Sequence, residues 1–429
     1  MFSVLSFIIY MYEVNFMFKG FDKLEKSWIC YDVGNSAFTL LVSTIIPIWF
    51  NALATSAGLS DSQYLAYWSY ATSIATVLVA VIGPVFGSIA DNKNFKKPLF
   101  TIALLIGVIG CLVMGVVPDW TLYLVTFVVA KVAYQASLVF YDSMLVDVTT
   151  PERMDIVSSQ GYALGYLGSC IPFVAAMVLF VLGNPSFLGI IPEKLSISAA
   201  FIIIAVWWFA VTIPLLKNYK QKYYVENTSG MISSSFSRLA GTLRNMYRNE
   251  KKVFYFLIAF FFYIDGVYTI IDEAVAIGTA LGLNQVGLLV VLLLTQVVAF
   301  AFATLFGKLS KKYSSTSLIM VCIFGYFTVA IYALFMSTLW QFAIMAFIVG
   351  MFQGAIQALS RSYYAQIIPA NASGEYFGIY DICGKGAAFM GTTLVGVAVS
   401  LTNSINIAVG TLSVLFICGI FFFRKALKA

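Results

Sequence analysis

Runs of about 20 apolar residues recur along the chain, the length at which an α-helix crosses the hydrocarbon core of a bilayer. They predict spanning helices at 27–50, 64–90, 98–117, 121–146, 157–182, 197–216, 253–279, 285–309, 316–337, 340–366, 374–400 and 404–423, twelve in all. Between the sixth and seventh lies a single long polar stretch, 217–252, which divides the chain into two six-helix halves. Within it Phe236, Leu239, Leu243 and Met246 fall at helical spacing, as in a short amphipathic helix lying on a membrane surface. The expected organisation is an N-terminal segment 1–26, a first bundle 27–216, a linker 217–252, a second bundle 253–423 and a tail 424–429. Residues 1–16 are apolar but too short to span. They read either as an interfacial segment or as an extension ahead of a start at Met17.

The halves echo each other. Tyr31-Asp32-Val33-Gly34 in the first helix resembles Tyr263-Ile264-Asp265-Gly266 in the seventh, Gly87 corresponds to Gly307, and Gln135 to Gln357. Near-constant offsets of this kind are what a duplicated six-helix unit leaves. The fold class expected is therefore an all-α polytopic membrane protein of twelve transmembrane helices in two pseudo-symmetric bundles.

Composition agrees. Of 429 residues 61% are hydrophobic and 10% charged, too little charge to cover a soluble surface. Basic residues set the topology: with the N-terminus inside, 22 of the 25 Lys and Arg fall on cytoplasmic segments. Both termini are thus expected in the cytoplasm, in a multi-pass protein of the cytoplasmic membrane. The net charge of +6 follows from this arrangement and does not point to nucleic acid. The chain has no histidine, and its six cysteines lie in apolar segments without metal-ligand spacing, so no metal or cofactor is expected. A phosphate-cradling loop with its lysine is absent from the sequence, which argues against ATP-driven transport by this chain. The sequons at Asn227 and Asn371 fall on cytoplasmic loops, where glycosylation is not expected.

Charges sunk to membrane depth mark pathways or paired structure. Asp32, with Asn35 beside it, reads as a gate or coupling carboxylate, or as a helix-start acid tied to its neighbours. Asp265 lies about 18 Å into its helix at 1.5 Å per residue, a candidate proton carrier or substrate contact, with Asp272 on the same face. Lys131 sits at mid-membrane and needs a carboxylate on another helix or an anionic substrate group; Asp265 and Asp32 are the expected partners. Asp381 and Lys385, four apart, pair with each other or line a cavity. Arg361 clamps an anionic group, closes a gate or anchors to lipid phosphate. Tyr134, Gln135, Tyr141, Tyr268, Gln296 and Gln357 are uncharged hydrogen-bonders able to line a path or to join helices. Gly87 permits close helix contact, and Asp91 at the end of its helix can face a helix N-terminus of the other half. Together with Lys97 these read as gating residues.

The two halves, the long central loop and Gly87-Ser88-Ile89-Ala90-Asp91 with Lys93, Lys96 and Lys97 resemble the major facilitator superfamily; Asn92 stands where arginine commonly follows the aspartate. Longer stretches resemble its vacuole effluxer-like family: Trp28, Tyr31, Asp32, Asn35, Ser36, Ala37 and Phe38; Thr150-Pro151-Glu152; Asp265-Gly266-Val267; and Gln357-Ala358-Leu359-Ser360-Arg361-Ser362. Gly34, Lys131 and Asp142 depart from that pattern. The resemblance implies a secondary transporter, with the Asp91 contact to the eleventh helix shutting the cytoplasmic side; its fungal members are associated with amino-acid efflux. The mixed charges in the membrane suit a zwitterion. The expected function is therefore proton-coupled or facilitative transport of a small polar solute, amino acids among the candidates, by a monomer working through alternating access. A non-transporting receptor or assembly factor is the alternative. No enzyme activity is expected.

Overall fold

The computed structural model describes residues 18–185, 188–226, 231–274, 277–278, 282–283 and 285–429, with side chains at 61, 231–238, 285–286, 289 and 385–389 outside the description. The segment 1–16, Met17 and Asn227 lie outside the described residues.

Helix starts follow local capping chemistry. α1 (Lys23–Ser43) begins at Asp22, whose carboxylate accepts from the backbone N–H of Leu24 and Glu25 at 2.8 Å, and Glu25 returns a bond to the Asp22 N–H. α1 breaks at Thr44 and resumes as α2 (Ile45–Ser56); Pro47 follows three residues on and cannot donate to the Ser43 carbonyl. α3 (Asp61–Ala90) is boxed by Ser60 and Gln63. α4 (Lys96–Met114), α5 (Trp120–Ser143), the single turn α6 (Leu145–Val148), α7 (Met154–Gly183) and α8 (Glu193–Asn218) complete the first half. α9 (Met231–Arg248) occupies the linker. The second half holds α10 (Lys251–Asp272), α11 (Gln285–Leu309), α12 (Ser315–Ala333), α13 (Leu339–Ile367), α14 (Ser373–Thr402), α15 (Ile405–Gly410) and α16 (Ser413–Lys428).

Eleven spans among the described residues are long and apolar enough to cross a membrane, α1 with α2 and α15 with α16 reaching this length. The twelfth predicted span, α14, is a 30-residue helix whose first half carries Glu375 and Asp381, leaving Met390–Thr402 as its apolar stretch.

The halves meet along two long crossings, α3 with α14 and α7 with α11. Their internal duplication is visible in hydrogen bonds: Tyr31 Oη lies 2.5 Å from Ser137 Oγ in the first half, and Tyr263 Oη lies 2.6 Å from Ser360 Oγ in the second. This pairing sets the register of the repeat and agrees with the offset between the two motifs. If Tyr263 stands for Tyr31, then Asp265 is one residue beyond the counterpart of Asp32. One residue turns a helix by about 100°, so the two carboxylates face different neighbours.

The linker helix, expected on a membrane surface, also makes contacts with the bundle. Met246 is fully buried and Thr242 Oγ1 donates to Glu375 at 2.5 Å, so α9 is fastened to the bundle, with Leu243 and Tyr247 left exposed.

Candidate functional site

The ends of α3, α5, α8 and α13 converge with the starts of α1, α7, α10 and α14. Polar contacts close the molecule here in three layers.

The deepest layer is built around Arg361 of α13. Its Nη2 donates to Asp32 at 3.1 Å, its Nη1 to Asp142 at 3.0 Å, its Nε to Ser158 Oγ at 2.9 Å, and Nη2 again to the Ser158 carbonyl at 3.2 Å. The guanidinium carbon lies 4.6 Å from the Trp28 ring, 4.4 Å from Tyr162 and 5.4 Å from Tyr141. All of these partners belong to the first half. A guanidinium buried to 2% exposure loses its hydration. Charge-assisted bonds to two carboxylates and the electron-rich ring faces offset that loss. Asn35 donates to the other oxygen of Asp32 at 3.4 Å.

The middle layer joins α3 to α14. Asp91 accepts from Gly374 N at 2.7 Å and Glu375 N at 2.9 Å, a carboxylate on a helix N-terminus where the dipole favours it. Gly87 and Gly374 bring the two backbones into contact, since a Cβ on either would strike the other's carbonyl oxygen. Lys96 is buried between Asp91 at 3.8 Å and Asp147 at 3.6 Å and donates to Ser373 Oγ at 2.9 Å. Asp147 also accepts from Tyr219 at 2.6 Å and from two linker N–H groups at 2.9 Å. Burial pushes the Asp91 carboxyl up to about 6, opposed by Lys96 and the two N–H donors. Lys97, the expected gate residue, is only half-buried; it is Lys96 that enters the network.

The third layer joins α7 to the second half. Asp155 accepts from Ser362 and Ser315 at 2.5 Å each and from Gln366 at 3.1 Å. Gly307 packs against Ser159 beside it, as Gly87 packs against Gly374.

Away from this end the halves part. Residues Gly83–Val85, Gly87 and Ser88 of α3 are buried, whereas Thr76, Val77 and Leu78 are all exposed. Three successive exposed residues cover about 200° of a helix, more than one lipid-facing side. On α14, Ser373–Tyr380 is buried and Gly396, Val397, Ser400 and Leu401 are exposed. The α3–α14 crossing is thus buried at the Arg361 end and exposed toward the other.

The remaining expected residues fall into two groups. Toward the opening, Lys131 is half-buried, 5.5 Å from the Phe127 ring and within the Coulombic reach of Asp272, a partner the sequence reading did not name. Asp272 itself is exposed at the end of α10. Tyr268 and Asp381 are half-buried and lie within electrostatic reach of each other and of Asp142. Gln357 donates to Tyr166 Oη across the halves at 3.2 Å. Gln135 and Gln296 are half-buried, and the Gln135 carbonyl oxygen has no hydrogen-bond partner among the described residues. The side chain of Lys385 lies outside the described ones, and so does its expected pairing with Asp381.

The second group is packed into one half. Tyr134 bonds Thr39 at 2.6 Å between Phe38 and Trp208. Tyr141 stacks on Trp28, ring centroids 4.3 Å apart. Asp265 is fully buried against α14, accepting from Gly391 N at 2.9 Å and Thr269 at 3.4 Å, while its second oxygen has no hydrogen-bond partner among the described residues. The sequence reading gave no site role to Lys96, Asp147, Asp155, Ser158 or Tyr162. Lys96 stood only in the basic cluster after Asp91, Asp147, Ser158 and Tyr162 only within the stretches that resemble the family, and Asp142 only as a departure from its pattern.

Two six-helix halves, crossing on glycine pairs and latched at one end by ionic contacts, define a transporter of the major facilitator type. The chain belongs to the family described as vacuole effluxer Atg22 like, whose model matches residues 60–426. It is 39% identical over 411 residues to the uncharacterized MFS-type transporter YxiO of Bacillus subtilis, covering 94% of this chain and 95% of that one. It is 22% identical over 478 residues to autophagy-related protein 22 of Saccharomyces cerevisiae, covering 91% and 89%. The fold matches the human organic anion transporter MFSD10 (TM-score 0.73, 12% identity, 93% and 98% covered). It also matches the transporter FucP in its outward conformation (TM-score 0.70, 15% identity, 96% and 99% covered).

Proposed function

We propose that this protein is a secondary transporter moving a small polar or zwitterionic solute, amino acids among the candidates, by alternating access between two rocking halves. α1–α8 and α10–α16 are the moving bodies and the linker with α9 is their tether. Basic residues place both termini on the cytoplasmic side of the cytoplasmic membrane. On that topology the conformer described here is closed to the cytoplasm and open outward. A proton gradient or the solute's own gradient supplies the drive, and the chain works as a monomer.

The observation that carries this reading is Arg361, a residue of the second half whose hydrogen-bonding and stacking partners all lie in the first. A permanent interface between bundles would be apolar. A latch of charged groups, each able to regain water when the halves part, suits an interface made and broken each cycle. Toward the opening, Lys131, Asp272, Tyr268, Asp381, Gln135 and Gln357 supply polar contacts of both signs for a solute, and Asp265 is the coupling carboxylate.

The test is uptake and counterflow in proteoliposomes with single labelled amino acids, with and without an imposed proton gradient. Lys131→Gln is expected to raise KM, and Asp265→Asn to abolish gradient-driven accumulation. Saturable ligand binding without flux in the same vesicles would instead support the receptor reading.

A further inference from the structure

Arg361 occupies a space that the first half builds without it. Trp28 Nε1 donates to the Tyr141 carbonyl at 3.0 Å, and the two rings stack. Tyr31 ties α1 to α5 through Ser137, and Asn35 steadies Asp32. Gly161 makes the room: a Cβ there would collide with the Asp32 carboxylate and come within 3.3 Å of Arg361 Nη2. These bonds lie within the first half and persist when α13 moves away; of the cage residues, Ser158 also donates to the Ala358 carbonyl of α13 at 2.7 Å.

That movement has an electrostatic consequence. With the latch made, one guanidinium faces two carboxylates. With it broken, Asp32 and Asp142 remain together at membrane depth without their cation, and two close carboxylates in a poorly hydrated place repel. They require a replacement positive charge. The shape of the site selects its kind. Two carboxylates on different helices take separate N–H donors, and ring faces approach the cation within 4.4, 4.6 and 5.4 Å. A small metal ion seeks a shell of oxygens and gains little from ring faces; a flat, delocalised organic cation uses both.

We propose that this cage is a cation site with two alternating occupants. Arg361 fills it in the conformer described here. An organic cation bearing a guanidinium-like or small ammonium head fills it from the cytoplasmic side when α13 withdraws. This rests on the alternating-access reading and adds a substrate class to it. Because the two occupants exclude each other, a bound cation holds the Arg361 end open, and population shifts toward the state it binds.

The experiment uses methylguanidinium as probe and neutral methylurea, of the same shape, as control. Spin labels replace Glu152 and Asn371, exposed residues of the first and second halves at this end, in a cysteine-depleted full-length chain in nanodiscs. Methylguanidinium is expected to shift the distance distribution toward the longer population saturably, and methylurea is not. Asp142→Asn and Trp28→Ala are each expected to raise the half-saturating concentration at least tenfold. Arg361→Ala, whose cage is always vacant, is expected to gain thermal stability from methylguanidinium, and this gain should vanish when Asp32→Asn is added. If both distance populations exist and methylguanidinium moves neither, the cage proposal falls while alternating access stands; a rise of the longer population as pH falls in the Asp91→Asn background would then make protons the replacement charge. A single population under every condition overturns both.

Discussion

Arg361 and Asp32 are separated by 329 positions in the chain and joined by a 3.1 Å hydrogen bond that links one half of the molecule to the other. Asp142 and Ser158 hold the same guanidinium from two further helices of the first half. Opening this end therefore means extracting this side chain from its cage and also breaking the Asp91 and Asp155 contacts between the halves.

Removing the guanidinium leaves two buried carboxylates unpaired. Breaking such a pair costs about 3–5 kcal/mol when the site stays shut, so Arg361→Ala is expected to release the strain by opening. The 152–371 label distance should move almost wholly to its longer population. Arg361→Lys keeps the charge but loses the fork and the ring stacking, and should fall between Ala and wild type. Equal behaviour of Lys and Arg would show that charge alone makes the latch.

Gly374→Ala places a methyl against the Gly87 carbonyl and within 2.9 Å of Asp91 Oδ1. Overpacking of this kind costs about 1–3 kcal/mol, here in the closed conformer alone. Gly396→Ala is the control, since nothing lies within 4 Å of its Cβ position. Thermal unfolding should show a lowered midpoint for the first and little change for the second. The label distance should lengthen only for Gly374→Ala.

The closed conformer holds the Asp91 carboxyl near 6 through burial, and water in the open conformer returns it toward the ordinary carboxylate value. The closed state therefore binds more protons between these values. Its population should rise as pH falls from 7 through 6 toward 4, by at most about tenfold per pH unit. Lys96, Asp147 and Glu375 share this layer, so the decisive measurement is the difference between wild type and Asp91→Asn. The part of the pH dependence due to Asp91 should disappear in the variant.

Asp265→Asn keeps an oxygen for the Gly391 N–H and the Thr269 hydroxyl, so its thermal midpoint should stay close to wild type. Asp265→Leu removes the acceptor from a buried N–H and should cost about 1–3 kcal/mol. If Asp265 couples transport to protons, Asn abolishes accumulation under a gradient but spares counterflow. Loss of counterflow as well would assign it to solute binding.

Membership of a helical membrane class and the position of Asp91 at a helix end were legible in the sequence. Each depends on a pattern local in the chain: apolar run length, or the place of a charged residue where such a run ends. The site was legible only in part. Asp32 and Arg361 stood out as charges in apolar helices, but nothing local in the chain joins them. Lys96 and Lys97 look alike in the sequence; only the rotation of α4 buries one between two carboxylates and leaves the other half-buried.

The sequence by itself determined which segments are helices long and apolar enough to cross a membrane, because hydropathy and length belong to one contiguous segment and need no partner. Tertiary structure decided which charges meet. A one-residue difference in register turns Asp265 about 100° away from the position Asp32 holds. Side chains a few degrees or one turn apart on packed helices face different neighbours, and those neighbours come from distant parts of the chain.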